Sequence, residues 1–415
     1  MGFDLKKIRF EDLELSIAVL IAFFLPINPK IIVYLITLLA VLSIYGWIKR
    51  GVHKFSKSYW PFIILFGIYV TGLIFTTNFD YGLKDVETRL TFVLFPVFFG
   101  LNKRDKPLNF EWIVNGLVVG LIVKIGLCYY FAFECYETVG YVECFEGSRL
   151  SYNMHPTYLA LYLLIGGAFY CIQSFKSDKS LNRKISAILV GSLFLFMVYR
   201  LFSLGPLIAF VSMITVLLFA YFYFKNQLKF FLLGIGLFAV VGFFAVQNLA
   251  FLKNDFDEVR TELSNYFEDK EQYIADNQDD PHSVNARILI WLTSVDLVKE
   301  HPFGVGTGDY KDVLLSHYRD IGMEAYADKE LNSHCQYLQT ALSVGIISSV
   351  FLIFTFSYYI WIGFKRKNLY LLALTALFAT SCLVESVLER QWGILFFMFF
   401  LSILLSKPAD KAIDH

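Results

Sequence analysis

Leu331-Asn-Ser-His-Cys-Gln-Tyr-Leu-Gln339 is where this chain changes character. Ahead of it, residues 249–335 hold 18 of the chain's 36 acidic side chains against eight Lys and Arg, a net charge of −10. Beyond it, from Gln336 to Phe364, 29 consecutive residues carry no charge. A run of that length and polarity is enough to cross a hydrocarbon core, which takes roughly 20 mainly apolar residues. A polar segment as long as the one before it is no mere connector and has to be structured or functional. The junction therefore reads as a large excursion into water that returns to a membrane.

Composition extends the same reading to the whole chain of 415 residues. Hydrophobic residues make up 57%, aromatics 18% and charged residues 17%, and 44 Phe and 25 Tyr are more than a soluble surface can hide. Ordinary soluble domains carry about 45–50% apolar and about 25% charged residues. A soluble enzyme, a disordered chain and a small disulfide-knit domain are excluded, and an all-α polytopic membrane protein remains. The net charge is zero, so no overall field draws in nucleic acid.

Reading between charged and Pro/Gly breaks gives about twelve transmembrane helices: 13–25, 31–48, 59–76, 84–101, 110–131, 155–173, 184–199, 202–224, 228–248, 336–364, 369–387 and 391–406. Alternate loops hold 21 of the 36 basic residues, from Lys6 and Lys7 through Lys49/Arg50, Lys103/Arg104, Lys176–Lys184 and Lys365–Lys367 to Lys407 and Lys411. The positive-inside rule makes those loops and both termini cytoplasmic. Three stretches follow: 1–248 with nine spans, an outward loop at 249–335, and 336–415 with three spans and a tail.

Within the outward loop, Ile288, Trp291, Leu292, Val295 and Val298 recur at helical spacing and predict an amphipathic helix lying along the membrane surface. Asp309 is expected to open a second helix running to about Tyr318. Gly304-Val-Gly-Thr-Gly308 has no preceding strand and no following Gly-Lys-Ser/Thr, so it reads as a tight turn and not a phosphate loop. A second outward loop, 132–154, contains Cys135 and Cys144, which can be bridged in an oxidising compartment. The six Cys form no CxxC, and no Cys/His cluster has zinc spacing, so no metal or cofactor is expected.

His334 is the first candidate for chemistry. Ser333 and Gln336 have the spacing of a capping box, which would place His334 in the first turn of a helix, where the positive helix end disfavours imidazolium and leaves a proton acceptor. An interfacial His that merely hydrogen-bonds a loop carbonyl fits the local sequence as well. Arginine is the second candidate. Arg89, Arg200, Arg260, Arg287 and Arg390 fall on the outward side, where planar bidentate guanidinium groups suit a lipid phosphate or pyrophosphate. Snorkelling to headgroups or pairing with nearby acids is the plainer role for any one of them. Lys124 and Glu385 are ionisable groups within or at the end of a span, a functional pointer by default. Glu385, Glu389 and Arg390 read as a compact charge cluster, plainly a Glu–Arg network.

In order, these pieces resemble the O-antigen ligase and O-antigen polymerase family of bacterial membrane glycosyltransferases. The resemblance is carried by Arg287-Ile-x-x-Trp291, then His301-Pro-Phe-Gly-Val-Gly-x-Gly-Asp309, then Asn332-Ser-His334-x-Gln336-Tyr337-Leu338-Gln339 with Gly345-Ile346. Glu385-Ser-x-Leu-Glu-Arg-Gln-x-Gly393 and His155-Pro-x-Tyr-Leu complete the set. Two positions depart from it. Cys335 stands where the family usually has Asn, and Leu204 stands where it often has Arg; Arg200, four residues upstream and so one turn away on the same face, is expected to supply that arginine.

The resemblance implies transfer of a glycan from undecaprenyl pyrophosphate to an acceptor hydroxyl, without metal or cofactor, at the periplasmic face of the bacterial inner membrane. His334 is then the catalytic base. Arg287, Arg260, Arg200 and Arg89 bind the donor pyrophosphate, with support from His155, Gln336, Tyr337, Glu385 and Arg390. The partners are the lipid-linked glycan, the bilayer, and lipid A–core (ligase) or another glycan (polymerase) as acceptor. A lipid-linked glycan transporter is the reading from another class, and it would call for internal pseudo-symmetry, which the sequence lacks.

Overall fold

A computed structural model describes residues 10–236, 261–262, 264–279 and 284–406. The described residues are helical with no strand, as an apolar chain must be where no water is present to satisfy the backbone. In chain order the elements are α1 (Phe10–Phe24), α2 (Pro29–Arg50), α3 (Trp60–Gly72), α4 (Phe79–Thr88), α5 (Thr91–Leu101), α6 (Phe110–Val139), α7 (Pro156–Ser174), α8 (Leu181–Arg200) and α9 (Leu204–Phe224). They continue with α10 (Lys270–Asn277), α11 (Val284–Glu300), α12 (Tyr310–Asp320), α13 (Glu324–Asp328), α14 (Gln336–Val344), α15 (Ile346–Lys365), α16 (Leu369–Val384) and α17 (Gln391–Ser406).

Seven helices among the described residues are long and apolar enough to cross a membrane; α16 and α17 are apolar but shorter. The chain is a polytopic helical membrane protein. Two expected spans are broken. The 84–101 stretch is split at Arg89 and Leu90, between α4 and α5, and the guanidinium of Arg89 turns back to a buried pair with Asp85. The 336–364 stretch is split at Gly345, whose φ of 93° no helix accepts. The expected 228–248 span is described only as far as residue 236.

Helix α17 explains why so many Phe are needed. Every residue from Gly393 to Leu405 is buried. A helix apolar on all sides lies inside a bundle and not at its edge. Phe396, Phe397, Phe399 and Phe400 contact Tyr162, Phe62, Phe95 and Phe110 through stacked and edge-on rings, and α7 and α5 pack on the same helix.

The bundle has two distinct ends. At one, Arg50 pairs with Glu11, Arg104 with Glu14, Lys179 with Glu111 at 3.0 Å, and Arg366 donates to Leu405 O at 3.3 Å. These are the loops that the basic residues had grouped together. The other end is covered by residues from the acidic stretch, which build a smaller core of their own from Tyr266, Tyr273, Leu289, Ile290, Tyr310 and Tyr326. Helix α11 forms where expected. Its buried face takes in Ile288 and Val298 as expected, but is centred on Leu289, Ile290, Thr293, Ser294 and Leu297. Trp291, Leu292 and Val295 are only half-buried, so the helix is turned by about one position. Packing on α14 decides that face.

The smaller core is clamped to the bundle by the glycine-rich turn. Val305 N donates to Leu342 O at 2.9 Å, Gly306 N to Ser343 O at 3.0 Å, and Ile346 N to Pro302 O at 3.0 Å. Gly304 (φ 82°) and Gly345 (φ 93°) face each other here: a Cβ on Gly304 would lie 2.6 Å from Gly345 N, and one on Gly345 would lie 2.9 Å from Phe303 O. Asp309 does not cap its own helix by side chain. Its carboxylate instead accepts from Thr77 N at 2.8 Å and Asn78 N at 2.7 Å, fastening α12 to the start of α4. Cys135 and Cys144 are bridged, with Cα atoms 5.9 Å apart.

Candidate active site

Two residues before α14, the backbone of His334 turns left-handed, with φ 43°. His tolerates this conformation better than most residues, and it still costs on the order of 1 kcal/mol. Local bonds hold it. His334 N donates to Asn332 Oδ1 at 3.0 Å, and Trp291 Nε1 donates to His334 O at 3.3 Å. The expected capping box does not form. Cys335 is the N-cap residue, without a side-chain cap, and Ser333 Oγ donates to Cys335 O at 3.1 Å. Gln336 is occupied elsewhere: its Oε1 accepts from Leu388 N at 2.7 Å, tying the His334 loop to the segment between α16 and α17. His334 therefore stands outside the helix, where its ring is free of the first turn.

That same segment supplies the partner. Glu385 lies one residue past the end of α16 and is 9% exposed. Its Oε1 accepts from Ser386 N at 3.2 Å, and its Oε2 lies 3.5 Å from His334 Nδ1. Burial works against the Glu385 carboxylate, but His334, His155 and Arg287 outweigh it and hold its pKa below the usual value. His155, just ahead of α7, has its Nδ1 3.4 Å from Thr157 N. Desolvation pushes the His155 pKa down; Glu385 opposes this, and Arg390, His334 and Arg287 add to it.

These groups line one cavity of about 400 Å³, together with Tyr158, Lys311, Asn332, Glu389, Arg390 and Trp392. Glu389 does not pair with Arg390 as a Glu–Arg network would require. Its Oε1 accepts from Tyr310 Oη at 2.7 Å and its Oε2 from the Asn332 amide, while Tyr81 Oη lies 3.1 Å from Tyr310 Oη. Arg390 is left exposed at the mouth of the cavity. Asn332 thus joins two bonds, one to Glu389 and one to the His334 amide, and transmits the position of α12 to the imidazole.

The other candidates are placed as follows. Arg287 is exposed on α11 and close enough to influence both His155 and Glu385. Arg89 is 1% exposed, paired with Asp85, with its guanidinium 4.1 Å from the Tyr69 ring centroid. Arg200 is 3.1 Å from Glu146 and does not line the His334 cavity. Nor does it share a helix face with Leu204: α8 ends at Arg200, the chain turns at Phe202 (φ 47°), and Leu204 opens α9. Tyr337 Oη donates to Ala379 O at 2.8 Å, bracing α14 on α16. Lys124 is fully buried and donates to Asn153 Oδ1 at 2.6 Å. Arg260 lies outside the described residues. The Tyr310–Glu389–Asn332 relay was not singled out from sequence, although Asn332 stands in the quoted motif.

A polytopic helical membrane protein with an imidazole, a carboxylate and guanidinium groups at one end of its bundle has the parts for proton removal beside an anionic leaving group. Residues 187–353 match the O-antigen ligase family model, so over this stretch the chain is similar to that family, in line with the resemblance carried by the Arg287–Asp309 and Asn332–Ile346 motifs. The stretch includes Arg287 and His334; His155, Glu385, Glu389 and Arg390 lie outside it. No curated protein matches the chain. The family implies a glycosyltransferase-like activity in a membrane.

Proposed function

We propose that this protein transfers a glycan from undecaprenyl pyrophosphate to an acceptor hydroxyl at the periplasmic face of the inner membrane, with lipid A–core as the acceptor. The observation that carries this reading is the 3.5 Å approach of Glu385 Oε2 to His334 Nδ1 inside a cavity that Arg390 overlooks. Glu385 holds the proton on Nδ1 and so leaves Nε2 as the acceptor. The acceptor O–H gives its proton to Nε2 while its oxygen bonds to the anomeric carbon. The bond from that carbon to the pyrophosphate breaks, and the electron pair leaves on the pyrophosphate. Arg390 and Arg287, with Arg260 from the same outward loop, meet the charge that develops there. The imidazolium then returns its proton to solvent. A 3.5 Å separation is the kind of loose contact that tightens when substrate fills a site.

His334→Ala should lower transfer by about 10²–10⁴-fold, the usual worth of a general base, while the protein still inserts and binds the lipid-linked donor. Near-normal transfer at matched expression would remove His334 from the mechanism. Gene deletion separates ligase from polymerase. Loss of core-attached polysaccharide with long lipid-linked polymer left behind marks a ligase; core capped by single repeats marks a polymerase.

A further inference from the structure

Beside the His334 cavity lies a second hollow of about 320 Å³, lined by Tyr81, Lys84, Asp85 and Thr88 of α4 together with Lys311, Glu389, Arg390 and Gln391. Lys311, Glu389 and Arg390 line both. A chain lying across Arg390 can therefore occupy the two at once. We propose that this second hollow is a saccharide subsite, which holds a hydroxyl-rich sugar ring next along the glycan from the bond that reacts beside His334. This rests on the transfer reading above.

The chemistry of the lining selects a sugar over a second phosphate. Asp85 is 7% exposed, pairs with Arg89, and keeps an Oδ2 with no hydrogen-bond partner among the described residues. A buried acceptor left unmatched is costly, and it calls for a donor. Glu389 adds a second carboxylate to the same wall. Lys84, Lys311 and Arg390 on the same lining would attract a phosphate, but an ionised phosphate diester has no donor to give the unmatched Asp85 oxygen. A sugar hydroxyl donates and accepts, and the remaining groups answer both needs. The Lys84 ammonium donates only, and the Gln391 amide does either. Thr88 Oγ donates to Lys84 O at 2.9 Å and keeps its lone pairs. Tyr81, half-buried, contributes an aromatic wall against which the C–H face of a pyranose can pack.

The test uses the purified full-length protein in detergent, with donor and acceptor varied separately. Thr88→Val and Gln391→Ala remove lining groups that take no part in the Asp85–Arg89 ion pair, and each should raise one KM about five- to tenfold, the loss expected for one hydrogen bond, with kcat within twofold. A rise confined to the acceptor KM assigns the ring to the acceptor glycan, and one confined to the donor KM assigns it to the donor. Both KM values unchanged in variants that still transfer overturn the subsite. Wild-type protein that fails to transfer at all overturns the transfer reading instead. A fluorescence titration with the oligosaccharide released from the lipid-linked glycan then decides the subsite by itself. Binding weakened in both variants supports it; absent binding, or displacement by inorganic phosphate, overturns it.

Discussion

The indole Nε1 of Trp291 donates to the carbonyl oxygen of His334 at 3.3 Å. A helix of the outer segment thereby grips the one residue of the junction whose backbone is left-handed. Removing that bond while keeping the ring is a clean probe of how firmly the loop is set. Trp291→Phe should cost about 1 kcal/mol of local stability and slow transfer severalfold, with the donor KM unchanged. Hydrogen exchange at residues 332–336 should speed up by about the same factor. A rate equal to wild type would show that Asn332 alone suffices.

Replacing guanidinium by ammonium tests the leaving-group role without removing charge. Arg287→Lys and Arg390→Lys should each lower kcat/KM at limiting donor by about tenfold or more, because a point charge cannot make the bidentate contact that a pyrophosphate offers. Arg200→Lys should do little to transfer, since Arg200 is engaged with Glu146 away from the cavity. Steady-state kinetics on purified variants gives the comparison directly.

Stability should fall as the medium is acidified, for a reason located in the cavity. Glu385 has its folded pKa depressed below its ordinary value of 4.5. The unfolded chain therefore binds more protons in that window, and the stabilisation is present above about pH 4.5 and lost as pH drops through the folded value. His155, depressed below 6.5, acts in the same sense at higher pH, because the folded state disfavours its charged form. The apparent Tm in detergent should decline from about pH 6.5 downward. Glu385→Gln should flatten the lower part of that curve, and His155→Asn the upper part.

Gly345→Val should be among the most damaging single changes outside the cavity. The residue sits at φ 93°, and its new Cβ would lie 2.9 Å from Phe303 O. A β-branched residue at that backbone costs upward of about 1 kcal/mol before the clash is counted. Expression in membranes and proteolysis of the outer segment in spheroplasts should reveal an unclamped loop.

The sequence announces many of the spans because hydropathy accumulates over some twenty residues, and each of the seven long helices overlaps a stretch marked by it. It does not announce the break at Gly345, because no charge interrupts the run on either side; the docking of Pro302–Gly306 meets the chain there. The site divides in the same way. His334, Glu385 and Arg390 stand out as ionisable residues near span ends and His155 through the family motif, and the four meet at one cavity. The Ser333 cap fails because a hydroxyl has several acceptors within reach and Cys335 O wins. Glu389 is read with its neighbour Arg390 because they are adjacent, yet its partners Tyr310 and Asn332 stand 79 and 57 positions away. Long-range partners of that kind leave no local trace.

The break between α14 and α15 also bears on how the chain is made. Were 336–364 one rigid rod, the imidazole would be set as soon as that rod entered the bilayer. Because the rod is jointed, the local bonds of His334 to Asn332 and Trp291 are completed by one from the segment beyond α16, where Leu388 N donates to Gln336 Oε1 at 2.7 Å. Synthesis runs from the amino terminus, so that set stays incomplete until almost the last helix has emerged from the ribosome. On the proposed mechanism, a nascent or truncated copy that lacks Glu385 should not turn over the lipid-linked donor. Supplying Leu369–Ser406 as a separate polypeptide should awaken such a copy.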